Sequence, residues 1–258
     1  MGILNRTPDS FFDRGSHFEM SRCIARAAQL VEEGADILDI GGVKAGPGPE
    51  VGLEEELDRV VPTVEALHAR FALPISVDTL RAQVAREAFA AGAVLGNDIS
   101  GFADPEYLNT AAEAGASVVA THIRLAPRIA DPEPTYHDLL AEVESFLLRK
   151  VEAAKASGIT PDRIVVDAGL DLGKTPEQSL ELLRASDRLS SLGCALLLSA
   201  SNKTFLGAVL SLDLMARREA SLAAAALGIS LGCRLLRVHD VAGTRRVRDT
   251  LEAVLEAS

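Results

Sequence analysis

Short runs of β-branched or aliphatic residues recur along the chain, and a longer stretch with helical apolar spacing follows each of them. Eight runs predict strands, at 2–5, 35–40, 74–77, 93–97, 117–122, 163–167, 195–199 and 234–239. The segments between them predict helices, among them 18–33, 52–70, 80–91, 137–157 and 176–191. Apolar strands that alternate with helices are typical of a parallel sheet buried on both faces.

A glycine closely precedes five of the predicted strands; these are Gly34, Gly92, Gly115, Gly193 and Gly232. At a helix end, glycine adopts the left-handed conformation that stops the helix before a tight turn. Eight units of helix and strand in 258 residues favour an α/β fold, a single (β/α)8 TIM barrel. An open doubly wound sheet usually has fewer strands and a GxGxxG turn, which is absent here. Because no linker-like segment divides the chain, we predict one domain over residues 1–258.

Polar residues stand at the predicted strand ends, where the chemistry of this fold lies. Asp78, Thr79, Asp98 and Asp240 could each serve as a helix cap. A cap does not explain carboxylates and amides within an apolar strand end, because burying them without partners is costly. The carboxylates and amides within an apolar strand end are those of Asp78, Asn97 and Asp167. A shared polar ligand would supply their partners.

The residue types at these ends point to a flat, nitrogen-rich heterocycle. Aspartate and asparagine match the donors and acceptors of an aminopyrimidinone edge, with Lys203 at a ring nitrogen or carbonyl and Arg237 stacked on the ring. Arg237 and His239 are two residues apart on one strand, so they point the same way and would suit an anion. Asn5 and the following loop with Asp13 offer oxygen ligands for Mg²⁺ held jointly with a substrate's phosphates.

Composition limits the class of protein. The net charge of −11 argues against general binding to nucleic acid or to anionic membranes. Three cysteines lie far apart and fit neither a disulfide framework nor a structural zinc site, so we expect a cytoplasmic protein. No apolar run reaches the roughly 18 residues of a membrane span.

Two further motifs are set aside as functional signals. Residues 169–175 are one residue short of a phosphate-binding P-loop, so we do not predict a nucleotide triphosphatase. The acidic run 54–56 predicts the solvated first turn of a helix, where the helix dipole favours carboxylates.

Seven segments resemble, in order and spacing, the signature segments of the dihydropteroate synthase family. They are Met-Gly-Ile-Leu-Asn-Arg-Thr-Pro-Asp-Ser-Phe at 1–11, Asp-Ile-Gly-Gly at 39–42, Ser-Val-Asp-Thr at 76–79, Asn-Asp-Ile-Ser-Gly at 97–101, Asp167 with Gly-Lys-Thr at 173–175, Ser-Asn-Lys at 201–203 and Arg-Val-His-Asp at 237–240. The resemblance covers essentially the whole chain. It implies a TIM barrel, a homodimer through the last helices, and a folate-pathway reaction in which p-aminobenzoate displaces pyrophosphate from 6-hydroxymethyl-7,8-dihydropterin pyrophosphate.

The resemblance also implies roles for individual residues. The pterin and the substrates would be held by Asp78, Asn97, Asp167, Lys203, Arg237, Ser201 and Pro47. The catalytic set would be Asp13, Lys203, Arg237 and His239, with the last two at the pyrophosphate. Asn5 would belong to the Mg²⁺ site, together with the first loop and its Asp13.

The chain departs from the family pattern mainly around the p-aminobenzoate pocket. The family's Glu-Ser-Thr-Arg-Pro-Gly reads Val-Lys-Ala-Gly-Pro-Gly at 43–48, which removes the loop's threonine and arginine and leaves Lys44 as its cation. Asn202 stands for an arginine and Leu172 for a phenylalanine. In these respects the chain is most similar to the actinobacterial second paralogue of the family. Two functions stay open: a working transferase, or a pterin-binding protein with weak or no synthase activity or a different amine substrate.

Overall fold

The computed structural model describes residues 1–7, 19–44, 46 and 50–256. Eight parallel strands form one sheet and are hydrogen-bonded to one another in chain order. They are β1 (Gly2–Asn5), β2 (Leu38–Gly41), β3 (Ile75–Asp78), β4 (Leu95–Asp98), β5 (Ser117–Thr121), β6 (Ile164–Asp167), β7 (Ala195–Leu198) and β8 (Leu235–Leu236). The α/β class and the eight predicted strands are confirmed, although most of the strands are shorter than predicted.

Ten α-helices connect or follow the strands within the described residues. They are α1 (Met20–Glu32), α2 (Leu53–His68), α3 (Ala82–Ala90), α4 (Tyr107–Glu113), α5 (Leu139–Ala156), α6 (Pro176–Arg184), α7 (Ser186–Ser190), α8 (Thr204–Leu210), α9 (Arg218–Ser230) and α10 (Val241–Glu256). The predicted helix over 176–191 is two helices that meet at Ala185. All five predicted helix-stop glycines have positive φ. No described helix is long and apolar enough to cross a membrane.

The two faces of the strands bury different sets of side chains. Outward residues, such as Val118 and Val166, pack with the helices in the main core. The alternate residues of each strand face inward. Among them, Leu95, Val119, Val165 and Leu197 form a small separate cluster, and Leu235 packs against it. Because side chains alternate along a strand, the inward row continues two residues further on, to the polar strand ends.

Backbone hydrogen bonds also join the first strand to the segment after the last. Ile3 N donates to the Val238 carbonyl at 3.0 Å, and Val238 N donates to the Met1 carbonyl at 3.0 Å. Gly2 and Val238 are paired in a parallel bridge. The sheet is therefore strongly curled, and side chains from distant strands converge at one end of it.

The close approach of β4 to α4 yields a stability prediction. A Cβ added at Gly96 would lie 2.7 Å from the Tyr107 hydroxyl oxygen, which is buried and has no hydrogen-bond partner among the described residues. Gly96→Ala should lower the free energy of unfolding by about 1–3 kcal/mol in chemical denaturation. Gly52→Ala is the control, because an added Cβ there meets no atom within 4 Å. Tyr107→Phe should restore part of the loss; a double variant no more stable than Gly96→Ala would contradict this explanation.

Candidate active site

A partly buried arginine joins two strands at the polar end of the sheet. Arg237 Nε donates to Asp39 Oδ2 at 2.6 Å, and Arg237 Nη2 donates to Asp78 Oδ2 at 2.6 Å. Asn97 Nδ2 donates to the same Asp39 oxygen at 3.3 Å. Side chains from β2, β3, β4 and the segment after β8 thus meet in one hydrogen-bonded cluster.

Asp39 lies at the centre of this cluster. The sequence predicts no role for it. It is fully buried, and its Oδ1 atom has no hydrogen-bond partner among the described residues. A buried carboxylate oxygen without a partner is costly, which favours a ligand that donates a hydrogen bond there. The signal in the sequence was a charged residue inside an otherwise apolar strand.

The electrostatics of the cluster follow from burial and from the paired charges. Burial raises the pKa of Asp78 to about 7; Arg237 opposes this shift, and Asp39 adds to it. Burial also disfavours the charged guanidinium, but Asp39 and Asp78 outweigh that effect and raise the pKa of Arg237. The arginine therefore stays charged, while Asp78 changes its charge near neutral pH.

The ends of β6 and β7 contribute a second polar group. Asp167 Oδ1 accepts a hydrogen bond from Gly169 N at 2.8 Å, and Lys203 Nζ donates to the Leu170 carbonyl at 2.9 Å. Burial raises the pKa of Asp167, against the effects of the Gly169 amide and of Lys203. Burial lowers the pKa of Lys203, and Asp78 is among the carboxylates that oppose this. Lys203 of this second group is therefore close enough to Asp78 of the first cluster for the two charges to interact.

Ser201 and His239 are brought together, as the sequence placed them at adjacent strand ends. Ser201 Oγ lies 3.0 Å from His239 Nδ1 and accepts from His239 N at 3.1 Å. Burial, with Arg237 and Arg26 adding to it, lowers the pKa of His239 to about 3. The imidazole is therefore neutral at neutral pH, so it can offer an anion a hydrogen bond but not a positive charge.

Asn5 lies at the same end of the sheet. A Cβ built on Gly41 would be 3.5 Å from Asn5 Oδ1 and 3.8 Å from Asp78 Oδ2, so these two side chains flank one glycine. No group of three or more His, Cys, Asp or Glu residues that could hold a metal is found within the described part of the chain. Asp13 and Pro47 lie outside the described residues, so their predicted roles stay predictions.

Position 202, where the family pattern has an arginine, lies against the start of α9. Asn202 is buried with φ +59, a left-handed value that asparagine tolerates better than most residues. Its backbone N donates to Ser221 Oγ at 3.0 Å, and its carbonyl accepts from Arg217 Nη1 at 3.1 Å. An uncharged side chain thus stands at this position, and its backbone is held at the start of α9.

Arg128, a cation for which the sequence predicts no role, lies near Val43 and Lys44. A cavity of about 60 Å³ beside Asp78 is lined by Lys44, Ile99 and also Arg128, from the loop between β5 and α5. Two cations, Lys44 and Arg128, therefore lie at this edge of the site.

The prediction that residues 54–56 are all solvated is wrong for Glu56. It is 2% exposed and accepts hydrogen bonds from Thr79 Oγ1 at 2.5 Å and Arg81 Nη1 at 2.6 Å. Arg81 Nη2 also donates to the Val51 carbonyl at 2.8 Å. These bonds tie Val51 and the first turn of α2 to the segment that follows the C-terminal end of β3.

Comparisons with known proteins agree with this arrangement. The model of the family described as "Pterin binding enzyme" matches residues 1–239. "Inactive dihydropteroate synthase 2" of Mycobacterium leprae is 45% identical over 98% of this chain and 89% of its own length. The dihydropteroate synthase of Bacillus subtilis is 39% identical over 99% of this chain and 88% of its own length.

Solved structures give the same result. The dihydropteroate synthase of Yersinia pestis in a sulfonamide drug complex superposes with a TM-score of 0.96 at 37% identity, covering 100% of this chain and 94% of that one. The Xanthomonas albilineans enzyme in complex with 7,8-dihydropteroate has a TM-score of 0.88 at 40% identity, with the same coverage of 100% and 94%. The family model, the relatives and the solved structures thus agree, and the chain belongs to the dihydropteroate synthase family of pterin-binding enzymes.

Proposed function

We propose that this protein binds a pterin pyrophosphate and is a transferase that joins the pterin to p-aminobenzoate. The observation that carries the proposal is the inward row of polar strand ends around Asp39. Its Oδ1 atom has no hydrogen-bond partner among the described residues and would accept from a donor such as an aminopyrimidine. Related enzymes from Xanthomonas albilineans bind 4-aminobenzoic acid and 7,8-dihydropteroate. Both ligands fit a site with a heterocycle at its base and an aromatic amine above.

Each polar group would contribute a different part of pterin recognition. Carboxylates accept from the ring's N–H and amino groups, while the Asn97 amide can both donate and accept. Lys203 Nζ would donate to a ring nitrogen or carbonyl through an N–H group that its bond to the Leu170 carbonyl leaves available. Asp167 is already oriented by Gly169 N and needs little rearrangement to bind.

In the proposed reaction, the amine nitrogen of p-aminobenzoate bonds to the pterin methylene carbon as the carbon–oxygen bond to pyrophosphate breaks. The amine then loses a proton. Arg237 and His239 would stabilise the departing anion, the first by charge and the second as a neutral hydrogen-bond donor. Closed loops would keep water from the methylene carbon.

Mg²⁺ is part of the proposal. Its supports are the oxygen donor at Asn5 and the nearness of that side chain to Asp78, since Mg²⁺ prefers oxygen ligands. When bound, the ion would neutralise part of the charge on the leaving pyrophosphate. Asn5 and the loop with Asp13 would hold it.

A second candidate function is pterin binding with weak or no synthase activity, or with a different amine. The observation that favours it is the placement of Asn202, which is packed against α9 where the family carries an arginine. A relative of this chain is described as an inactive dihydropteroate synthase. Both candidates share the same pterin site and differ at the amine.

We further infer that the curled sheet closes into a single-domain (β/α)8 barrel, supported by the bridge between Gly2 and Val238. Formation of a homodimer is proposed from exposed apolar side chains on the last helices, among them Val209, Leu210, Leu227, Val254 and Leu255. A cytoplasmic location is proposed because the buried Cys194 and Cys233 form no disulfide among the described residues.

Asp167→Asn tests the pterin site. Loss of a charge-assisted hydrogen bond should weaken the pterin or its pyrophosphate by about 1.5–3 kcal/mol in calorimetry. Asp162→Asn is the matched control, because Asp162 is exposed on a short turn before β6. Equal affinities of wild type and Asp167→Asn, or no binding to either, would remove the pterin proposal.

Arg237→Ala tests the anion site and the buried ion pairs together. The variant should lose far more affinity for the pyrophosphorylated pterin than for the hydroxymethyl pterin, since only the first presents an anion. It should also lose about 3–5 kcal/mol of stability at pH 8, because the fully buried Asp39 and the partly buried Asp78 are left without their cation.

The stability loss of Arg237→Ala should shrink at pH 5. The raised pKa of Asp78, about 7, means that this group is protonated in the folded protein at pH 5 and charged at pH 8. Denaturation of Arg237→Ala and of the exposed control Arg234→Ala at both pH values measures this. An equal loss of stability at pH 5 and pH 8 would contradict the assigned role of Arg237. An equal loss of affinity for the pyrophosphorylated and the hydroxymethyl pterin would contradict it as well.

Restoring the family residues tests the amine half of the site. Ala45→Thr, Gly46→Arg and Asn202→Arg together should raise kcat/KM for p-aminobenzoate at least about tenfold, or 1.4 kcal/mol. The double variant without Asn202→Arg is the control, because arginine at φ +59 adds backbone strain. A wild type as fast as ordinary family members would make these departures neutral, and a triple variant no faster than its parent would place the defect elsewhere.

A further inference from the structure

The lysine of the near P-loop motif points into the protein and not toward solvent. Lys174 is 7% exposed, and its Nζ donates to the Gly169 carbonyl at 2.9 Å and to the Leu172 carbonyl at 3.0 Å. The same atom lies 2.9 Å from His122 Nδ1. An ammonium group has three donors, and these three acceptors match them.

His122 can serve as the third acceptor because it is neutral. Burial and the neighbouring Lys174 lower the pKa of His122 to about 3. Its ring is held edge-on to Phe146 with 4.8 Å between centroids. With Nδ1 accepting from Lys174, the ring proton lies on Nε2. The amine therefore ties the end of β5 to the loop that follows β6.

That loop is bent tightly around the amine. Gly169, Asp171 and Gly173 all have left-handed φ values, between +62 and +66. A Cβ at Gly169 would be 1.9 Å from the His122 carbonyl oxygen, so only glycine fits. Such a loop needs an interaction that holds its carbonyl groups together, and the N–H groups of the buried Lys174 amine supply it. Burial lowers the pKa of Lys174 to about 7, with Asp167 opposing the shift.

The loop in turn holds the site residues of β6 and β7. Gly169 N orients the Asp167 carboxylate, and the Leu170 carbonyl accepts from Lys203 Nζ. Asp171 accepts hydrogen bonds from the backbone N atoms of Thr204 and Phe205, directly after Lys203. Both polar groups of this half of the site are therefore set by the loop that Lys174 organises.

We propose that Lys174 is a positioning residue for pterin binding, acting through the loop 168–173 on Asp167 and Lys203 without touching the ligand. The inference rests on the proposed function for its ligand. A merely structural lysine would affect stability alone, whereas a positioning residue is coupled in binding to the two residues that it sets.

A double-mutant cycle distinguishes these roles. Lys174→Met should weaken pterin pyrophosphate binding about tenfold or more in calorimetry. Its effect should be much smaller in an Asp167→Asn background and undiminished in an Asn97→Ala background, because coupling is confined to residues that share contacts. Leu30→Ala is the control for lost stability, since Leu30 is buried beside Gly2 at the opposite ends of the strands. Leu30→Ala should lower Tm and leave binding unchanged.

Hydrogen exchange of the protein without ligand gives a readout that does not depend on the proposed function. Lys174→Met should speed exchange in 168–173 and 201–205 and leave 75–78 unchanged. If wild type binds no pterin, the proposed function fails and this exchange pattern still decides the role of Lys174. Lys174→Gln, which keeps two donors, should restore part of both effects and replaces Lys174→Met if that variant does not fold. Unchanged exchange in both segments, or an effect on binding that is fully additive with Asp167→Asn, would overturn the proposal.

Discussion

The site depends on one ion-pair cluster, in which the partly buried Arg237 lies between Asp78 and the fully buried Asp39. A carboxylate as buried as Asp39 would be unstable without a cation, and the cation comes from the other end of the chain. The sheet must therefore curl until the segment after β8 reaches β2 and β3. One oxygen of Asp39 is still unpaired among the described residues, so the cluster that holds the sheet together also favours a ligand.

Much of this could be predicted from the sequence because it is local. The alternation of strands and helices, the helix-stop glycines and the polar strand ends all follow from periodicity over a few residues. Asn97, Asp167 and Arg237 each stand two residues beyond an inward apolar residue, which fixes the direction of their side chains.

The remaining features could not be predicted, because they depend on contacts between distant segments. Nothing near Asp39 in sequence reveals that its partner is Arg237, 198 residues away. An acidic run at a helix start looks solvated, yet Glu56 is buried by Arg81 and Thr79. A lysine after glycine resembles a phosphate ligand, yet Lys174 turns toward His122. In each case the local pattern was present, and the tertiary partner decided its meaning.

The pterin half and the amine half of the site differ in how closely their residues match the family pattern. Residues at the base, where the pterin would lie, match the family, whereas Gly46 and Asn202 depart from it at the amine side. Overall identity does not separate the possibilities, since relatives of similar identity are described both as inactive and as dihydropteroate synthases. If only the amine half is altered, the affinity for p-aminobenzoate should differ from that of an ordinary family member, and the affinity for the pterin pyrophosphate should not.

The most direct test is a side-by-side calorimetric titration of this protein and the Bacillus subtilis enzyme with two ligands. The first is the pterin pyrophosphate with Mg²⁺, and the second is p-aminobenzoate added to the complex of protein, Mg²⁺ and pyrophosphate. We expect similar Kd values for the pterin pyrophosphate and a much weaker Kd for p-aminobenzoate in this protein. Loss of pterin binding, or equal affinities for both ligands in the two proteins, would contradict an intact pterin half joined to an altered amine half.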